Sequence, residues 1–185
     1  MRLKDTVQKK DFKILVVDDE QGIIDSLAIF LNQYNLVGET DPLKAIELLK
    51  EEHFDMLILD FLMMPIHGDQ VVEEVRKFNK DLYILLLTGH KDLAPPLETR
   101  KRLDIQGYCE KSDKFDQIIL LVESGLKSVS QMRIIKDINE QLEHAYDELK
   151  SAYRGTMESL RLAVDAKDSY TKNHSDRVSY YAVLI

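Results

Sequence analysis

The chain of 185 residues has no tryptophan, one cysteine, four prolines and seven glycines. A single Cys109 cannot close an internal disulfide, so no disulfide scaffold is expected and the usage agrees with a reducing, cytoplasmic compartment. No uninterrupted apolar run approaches the roughly 18 residues that span a bilayer, and the start, Met1-Arg-Leu-Lys-Asp5, lacks a signal-peptide core. No membrane association is expected. Basic charge is also short: 25 Lys+Arg face 33 Asp+Glu, for a net charge of −8. Nucleic-acid binders depend on Lys and Arg to neutralise phosphates, so the composition argues against a nucleic-acid partner.

The scarce residues are unevenly placed. All four prolines and five of the seven glycines precede residue 108, and residues 1–125 hold 16 bases against 24 acids, whereas 126–185 hold nine of each. The net charge therefore belongs to the first two-thirds, and the remainder carries almost no helix breakers. This pattern predicts one compact domain over 1–125, large enough to bury a core, and a long helical tail.

Within the first part, apolar runs alternate with helical periodicity. Residues 12–18 form a short β-branched run that stops at acids, as a buried parallel strand does. Ile23, Ile24, Leu27, Ala28 and Leu31 then recur at helical spacing. The alternation continues with a weak strand at 36–39, a helix at 42–52, a strand at 54–60, a helix at 69–78 and a strand at 82–87. A helix opened by Pro95-Pro96, a short strand around 107–110 and a helix from about 114 complete it. Five strands alternating with five helices predict an α/β fold, a doubly wound five-stranded parallel sheet. Ligands of such sheets bind beyond the carboxyl ends of the strands, where strand order reverses.

At that edge the sequence places chemistry. The first strand ends in Asp18-Asp19-Glu20, the third in Asp60, the fourth in Thr88-Gly89 and the fifth in Lys111. Carboxylates brought together repel one another and call for a cation. Hard oxygen ligands that leave room for water suit Mg²⁺. A threonine hydroxyl and a lysine ammonium at the rim complete a pocket for a phosphoryl group, with a carboxylate as nucleophile. Taken singly, an acid at a strand end is ordinarily a solvated loop residue or a helix cap, Thr88-Gly89 an ordinary turn, and Lys111 a surface residue. The conjunction in this chain order carries the reading.

The segments Ile14-Leu-Val-Val-Asp-Asp19, Asp60 with Pro65 and Gly68, Leu87-Thr-Gly89, and Tyr108-Cys-Glu-Lys111 closely resemble the response-regulator receiver domain, the CheY-like module of two-component signalling. The resemblance covers about residues 11–125. It implies that Asp60 is the phosphoacceptor, forming an aspartyl phosphate, and that Asp18, Asp19, Asp60 and the backbone carbonyl of Leu62 hold Mg²⁺. It implies further that Thr88 and Lys111 bind phosphoryl oxygens, that Tyr108 is an aromatic rotamer switch, and that a sensor histidine kinase or phosphotransfer protein is the donor. Two positions depart from the family: proline stands at Pro65 rather than one residue earlier, where Met64 is, and Ser112 replaces the proline that usually follows the lysine.

From Phe115 onward no strong breaker interrupts the chain, and a heptad seam runs from Ile135 through Ile138, Leu142, Ala145 and Leu149 to Ala152, with an extra three-residue step near Met132. This predicts a coiled-coil signalling helix over 126–155 that makes a homodimer; the competing arrangement is an amphipathic helix packed back on its own domain. The run containing Ala166, Asp168, Tyr170, Thr171, His174, Arg177 and Val178 resembles the opening of HD-GYP domains, which are cyclic di-GMP phosphodiesterases with a di-metal or tri-metal centre. That resemblance implies that His174 is a metal ligand of an output domain beginning in 156–185, and Tyr170, in place of a glutamate, favours a di-metal centre. No His-Asp dyad or GYP motif follows within the chain, so the expectation is a fragment that exchanges phosphate at Asp60 without hydrolysing the dinucleotide. Two alternatives stay open. One is an aspartate-nucleophile phosphatase of the haloacid dehalogenase type, although Leu62 stands where those enzymes place a second aspartate. The other is a dimerisation scaffold independent of phosphorylation.

Overall fold

A computed structural model describes residues 9–89, 103–111 and 115–183, with side chains of the last helix described through residue 164 and at 166 and 167. After a short 3-10 turn at Lys9–Asp11 the elements are β1 (Lys13–Val17), α1 (Gln21–Phe30), β2 (Asn35–Glu39), α2 (Pro42–Glu51), β3 (Met56–Asp60), α3 (Gly68–Arg76), β4 (Tyr83–Thr88), β5 (Gly107–Glu110) and α4 (Phe115–Val183). The helix expected to open at Pro95-Pro96, and Ser112, lie outside the described residues.

The five strands form one sheet in the order β2-β1-β3-β4-β5, and every neighbouring pair is parallel. Strand order reverses between β1 and β3, so the crevice of this doubly wound sheet opens beyond their carboxyl ends. Side chains alternate between the faces with the two-residue period of a strand. Leu15, Val17, Leu57, Leu59 and Leu86 pack on one face with Ala45 and Leu49 of α2 and Val71, Val72 and Val75 of α3. Ile14, Val16, Ile58, Leu85 and Leu87 pack on the other with Ile24 and Leu27 of α1 and Ile118, Val122 and Leu126 of α4. Because both faces are covered, β1 and β3 read as continuous apolar runs; β2, an edge strand with only intermediate or exposed residues, reads faintly.

Local chemistry sets the element ends. Asp41 caps α2, its Oδ1 accepting the Leu43 N–H at 2.9 Å, and Pro42 occupies the first helical position. Gly125 lets α4 lie close on the sheet, since a Cβ there would sit 2.6 Å from Met56 Cε and 2.7 Å from the Tyr83 ring. A buried carboxylate ties the same helix to the amino-terminal ends of the strands. Asp55 accepts the Lys13 backbone N–H at 2.9 Å and pairs with the Arg133 guanidinium, while His53 Nε2 lies 3.5 Å away.

Two compact units divide the chain after Arg133. The first, through Arg133, contains the sheet. In the second, 134–185, the described side chains of the helix are exposed throughout. Among the described residues no helix is long and apolar enough to cross a membrane.

Asp55 is nearly inaccessible to solvent, so removing its cation leaves an under-compensated buried charge. Arg133→Ala is expected to lower the unfolding free energy by about 1–3 kcal/mol, and Arg133→Ala with Asp55→Ala by less than the sum of the single changes. Denaturant unfolding of the four proteins measures this; strict additivity would show that the pair is not coupled.

Candidate functional site

Four ionisable residues from three loops meet at the carboxyl edge of the sheet. Asp18 follows β1 directly, Asp60 closes β3 and Lys111 follows β5. Lys111 Nζ lies 2.8 Å from Asp18 Oδ2 and 3.2 Å from Asp60 Oδ2, so one ammonium bridges two carboxylates. Asp19 is exposed and completes a group in which one ligand atom from each of Asp18, Asp19 and Asp60 lies within 4.8 Å of the others. Glu20, at the rim, reaches to 3.8 Å from the same ammonium.

Backbone donors hold the two buried acids. Asp18 Oδ1 accepts the Glu20 N–H at 3.0 Å, and Asp60 Oδ1 accepts the Phe61 N–H at 2.9 Å. The loop after β3 is itself anchored: the Phe61 N–H donates to the Leu87 carbonyl at 2.8 Å and the Gly68 N–H to the Phe61 carbonyl at 2.9 Å. Gly68 has no room for a side chain, because a Cβ would fall 2.5 Å from the Asp60 carbonyl oxygen. Within this loop Leu62 is half-buried, Met63 is buried, Met64 is exposed, and the Met64–Pro65 peptide is cis.

The register of the remaining strands brings in the other expected residues. Asp60 pairs with Leu87, which places the buried Thr88 one step beyond it, and the Thr88 carbonyl accepts the Lys111 N–H at 2.7 Å. Tyr108 lies on β5 opposite Leu86, half-buried against the core face shared with α2 and α3. The side chain of His174 lies outside the described residues.

Burial dominates the electrostatics. It pushes the Asp60 carboxyl up to about 6; Lys111 opposes that rise and Asp18 adds to it. Asp18 is raised for the same reason, against the pull of its hydrogen bond with Lys111. Burial opposes the Lys111 charge, yet the hydrogen bond to Asp18 and the attraction of Asp60 outweigh it and raise its pKa. Three carboxylates with one ammonium leave an uncompensated negative charge among hard oxygen donors. That donor set fits a small divalent cation, which binds through a few carboxylates and keeps water on its other positions.

The response regulator receiver domain model matches residues 14–123. The chain belongs to this family. As a receiver it has relatives among longer regulators. "Probable transcriptional regulator ycf27" of Porphyridium aerugineum is 30% identical over 121 residues, 64% of this chain and 50% of that protein. The Cyanidium caldarium protein of the same name is 26% identical over 181 residues, 97% of this chain and 68% of that one. Response regulator MprA of Mycobacterium ulcerans is 32% identical over 84 residues, 44% of this chain and 36% of MprA. The chain thus spans half or less of two of these three proteins. Among solved structures, response regulator TrrA of Thermotoga maritima, in complex with Mg²⁺-BeF, aligns with a TM-score of 0.56 and 31% identity, covering 62% of this chain and 98% of TrrA. The receiver domain of an HD domain-containing protein from Pseudomonas fluorescens Pf-5 shares the fold, with a TM-score of 0.64 at 22% identity, over 71% of this chain and 98% of that domain.

Residue type and spacing point to no role for Glu20 or for the Phe61 N–H. Glu20 was visible as the third acid of its run, but its approach to Lys111 depends on how β1 and β5 lie in the sheet. The backbone donor leaves no trace in residue types.

The raised Asp60 pKa has a defined sign. The folded receiver holds a proton there more tightly than the unfolded chain, so the contribution of this group to stability is fully present below the ordinary carboxylate range and is lost as pH rises through about 6. With a chelator present, stability is expected to drop by about 1–3 kcal/mol between roughly pH 4 and pH 7, and Asp60→Asn to flatten most of that slope. Thermal melts across this range test it; a wild-type midpoint that rises with pH would contradict the assignment.

Proposed function

We propose that this receiver is a phosphorylation-controlled response regulator that takes a phosphoryl group on Asp60 from a sensor histidine kinase or phosphotransfer protein. The observation that carries the reading is the buried Asp60 carboxylate held at 3.2 Å from Lys111 beside Asp18 and Asp19. A carboxylate oxygen of Asp60 forms the new bond to phosphorus as the bond to the donor nitrogen breaks, giving an aspartyl phosphate. Asp18, Asp19, Asp60 and the Leu62 carbonyl are the ligands for Mg²⁺, which when bound neutralises phosphoryl charge. The Lys111 ammonium, freed from part of its pairing with Asp60, moves onto a phosphoryl oxygen, and the Thr88 hydroxyl donates to another. Tyr108 then turns inward behind Thr88 as the switch. The charge arrangement supports this order: phosphorylation consumes the acceptor oxygen that Lys111 now neutralises.

The output reading rests on sequence. The run from Ala166 to Val178 resembles the start of an HD-GYP domain, with His174 as a ligand of its di-metal centre, and the exposed helix over 134–164 supports a homodimer that relays the switch to a cyclic di-GMP phosphodiesterase. The cytoplasm, where a kinase would supply phosphate, is the matching compartment. Relatives named as transcriptional regulators favour a second reading, a DNA-binding output in a longer protein. The acidic composition of this chain weighs against its own residues doing so.

Acetyl phosphate with Mg²⁺ is expected to add one phosphoryl mass to the intact chain, and Asp60→Asn to abolish the gain. Lys111→Ala should slow the transfer by about a hundredfold while leaving the fold intact. Intact-mass spectrometry and circular dichroism read both; labelling that survives Asp60→Asn would place the acceptor elsewhere.

A further inference from the structure

Along the second unit most of the exposed large apolar residues follow a repeat of eleven rather than seven, Ile134 and Leu162 standing outside it. Ile138, Leu149 and Leu160 stand eleven apart, as do Leu142, Tyr153 and Val164, and all six are more than half exposed. Ile135, Tyr146 and Met157 form a third exposed series with the same step. Over 135–152 the seven- and eleven-residue patterns almost coincide, which is why the shorter stretch reads as heptads. They part after Ala152. A heptad continues onto Thr156 and Ser159, whereas Tyr153, Met157, Leu160 and Val164 carry the large apolar side chains of the stripe and Leu162 lies off it.

An eleven-residue repeat corresponds to about 3.67 residues per turn, so its seam runs almost straight along a helix, with a slight right-handed drift. At about 98° per residue the three series and the small residues Ala145, Ala152 and Ala163 fall in one sector roughly 130° wide. A helix in water with such a stripe needs a partner to cover it.

The edges of the stripe name that partner. On one edge lie Lys150 and Arg161, with Asn139 at the equivalent place; on the other lie Asp137 and Glu148, with Ser159. In a parallel pair related by a two-fold axis along the helices, each basic edge faces the acidic edge of the other copy, and Glu148 meets the partner's Lys150. An antiparallel pair would set like charges together. Such flanking charges add little affinity and mainly decide orientation.

We propose that residues 135–164 are the surface on which a second copy of this chain docks, in parallel, through an eleven-residue repeat with Ile138, Leu149 and Leu160 at its centre. The inference rests on reading this helix as the dimerising element, and specifies how it pairs.

The test is sedimentation of the full 185-residue chain over a concentration series. The wild type should dimerise by tens of micromolar. Leu160→Lys should weaken association on the order of a hundredfold, because both copies lose a buried leucine. Leu162→Lys, on the opposite side of the helix, should not change it. Glu148→Lys and Lys150→Glu should each weaken it by about two- to fivefold, and the double variant should recover most of the loss. On a Cys109→Ala background, Ile138→Cys and Leu160→Cys should each cross-link between copies under mild oxidation. A dimer equally indifferent to Leu160→Lys and Leu162→Lys would overturn the eleven-residue seam while leaving dimerisation standing. Cross-linking at only one of the two cysteine positions would overturn the parallel arrangement. A monomeric wild type would overturn both the seam and the dimer, with phosphorylation at Asp60 unaffected. An unchanged circular dichroism spectrum and melting midpoint for each variant exclude misfolding of the receiver as the cause.

Discussion

Two carboxylates buried at the ends of adjacent parallel strands, with one ammonium between them, form the constraint around which this receiver is arranged. Asp18 and Asp60 are almost wholly removed from water, and burial raises both of their pKa values. Charges so placed survive only with compensation. Lys111 supplies part of it, which requires β5 to lie beside β4 so that its carboxyl end delivers the ammonium. Backbone N–H groups of Glu20 and Phe61 supply more, and Gly68 allows the loop after β3 to fold directly against the Asp60 backbone. The site remains short of positive charge, which is the property that suits it to a small divalent cation.

The opposite end of the sheet has a third buried acid, compensated differently. Asp55 is matched by a backbone N–H and an arginine, so that it is closed in on itself. One edge of the sheet thus carries an incompletely neutralised cluster suited to chemistry, and the other a paired carboxylate that ties α4 to β1 and β3. The division between the two units falls just after the arginine of that pair. Beyond it, the described apolar side chains of the helix are exposed.

Much of the sheet was legible in the residues. Strands β1, β3 and β4 announced themselves as β-branched and leucine runs because both faces are covered; β2 was faint because it is an edge strand with no fully buried position. The acids, threonine and lysine of the site were readable in chain order. Glu20 and the Phe61 donor were not, since neither residue type nor spacing reveals a contact between the segments that follow β1 and β5 or a backbone hydrogen bond. The Asp55–Arg133 pair escaped for the same reason, its partners being separated by most of the domain.

By itself the sequence determined the alternation of strands and helices, the order in which reactive groups leave them, and the periodicity of the tail. These are local properties, set by side-chain type at the two-residue spacing of strands and the three- to four-residue spacing of helices. The tertiary structure decided what those groups become: that strand order β2-β1-β3-β4-β5 brings Lys111 between Asp18 and Asp60, that their carboxylates are buried enough to be raised, and that Gly68 and Gly125 stand where a side chain has no room. Proximity between distant segments and exclusion of water are collective outcomes of packing, and no single stretch of chain contains them.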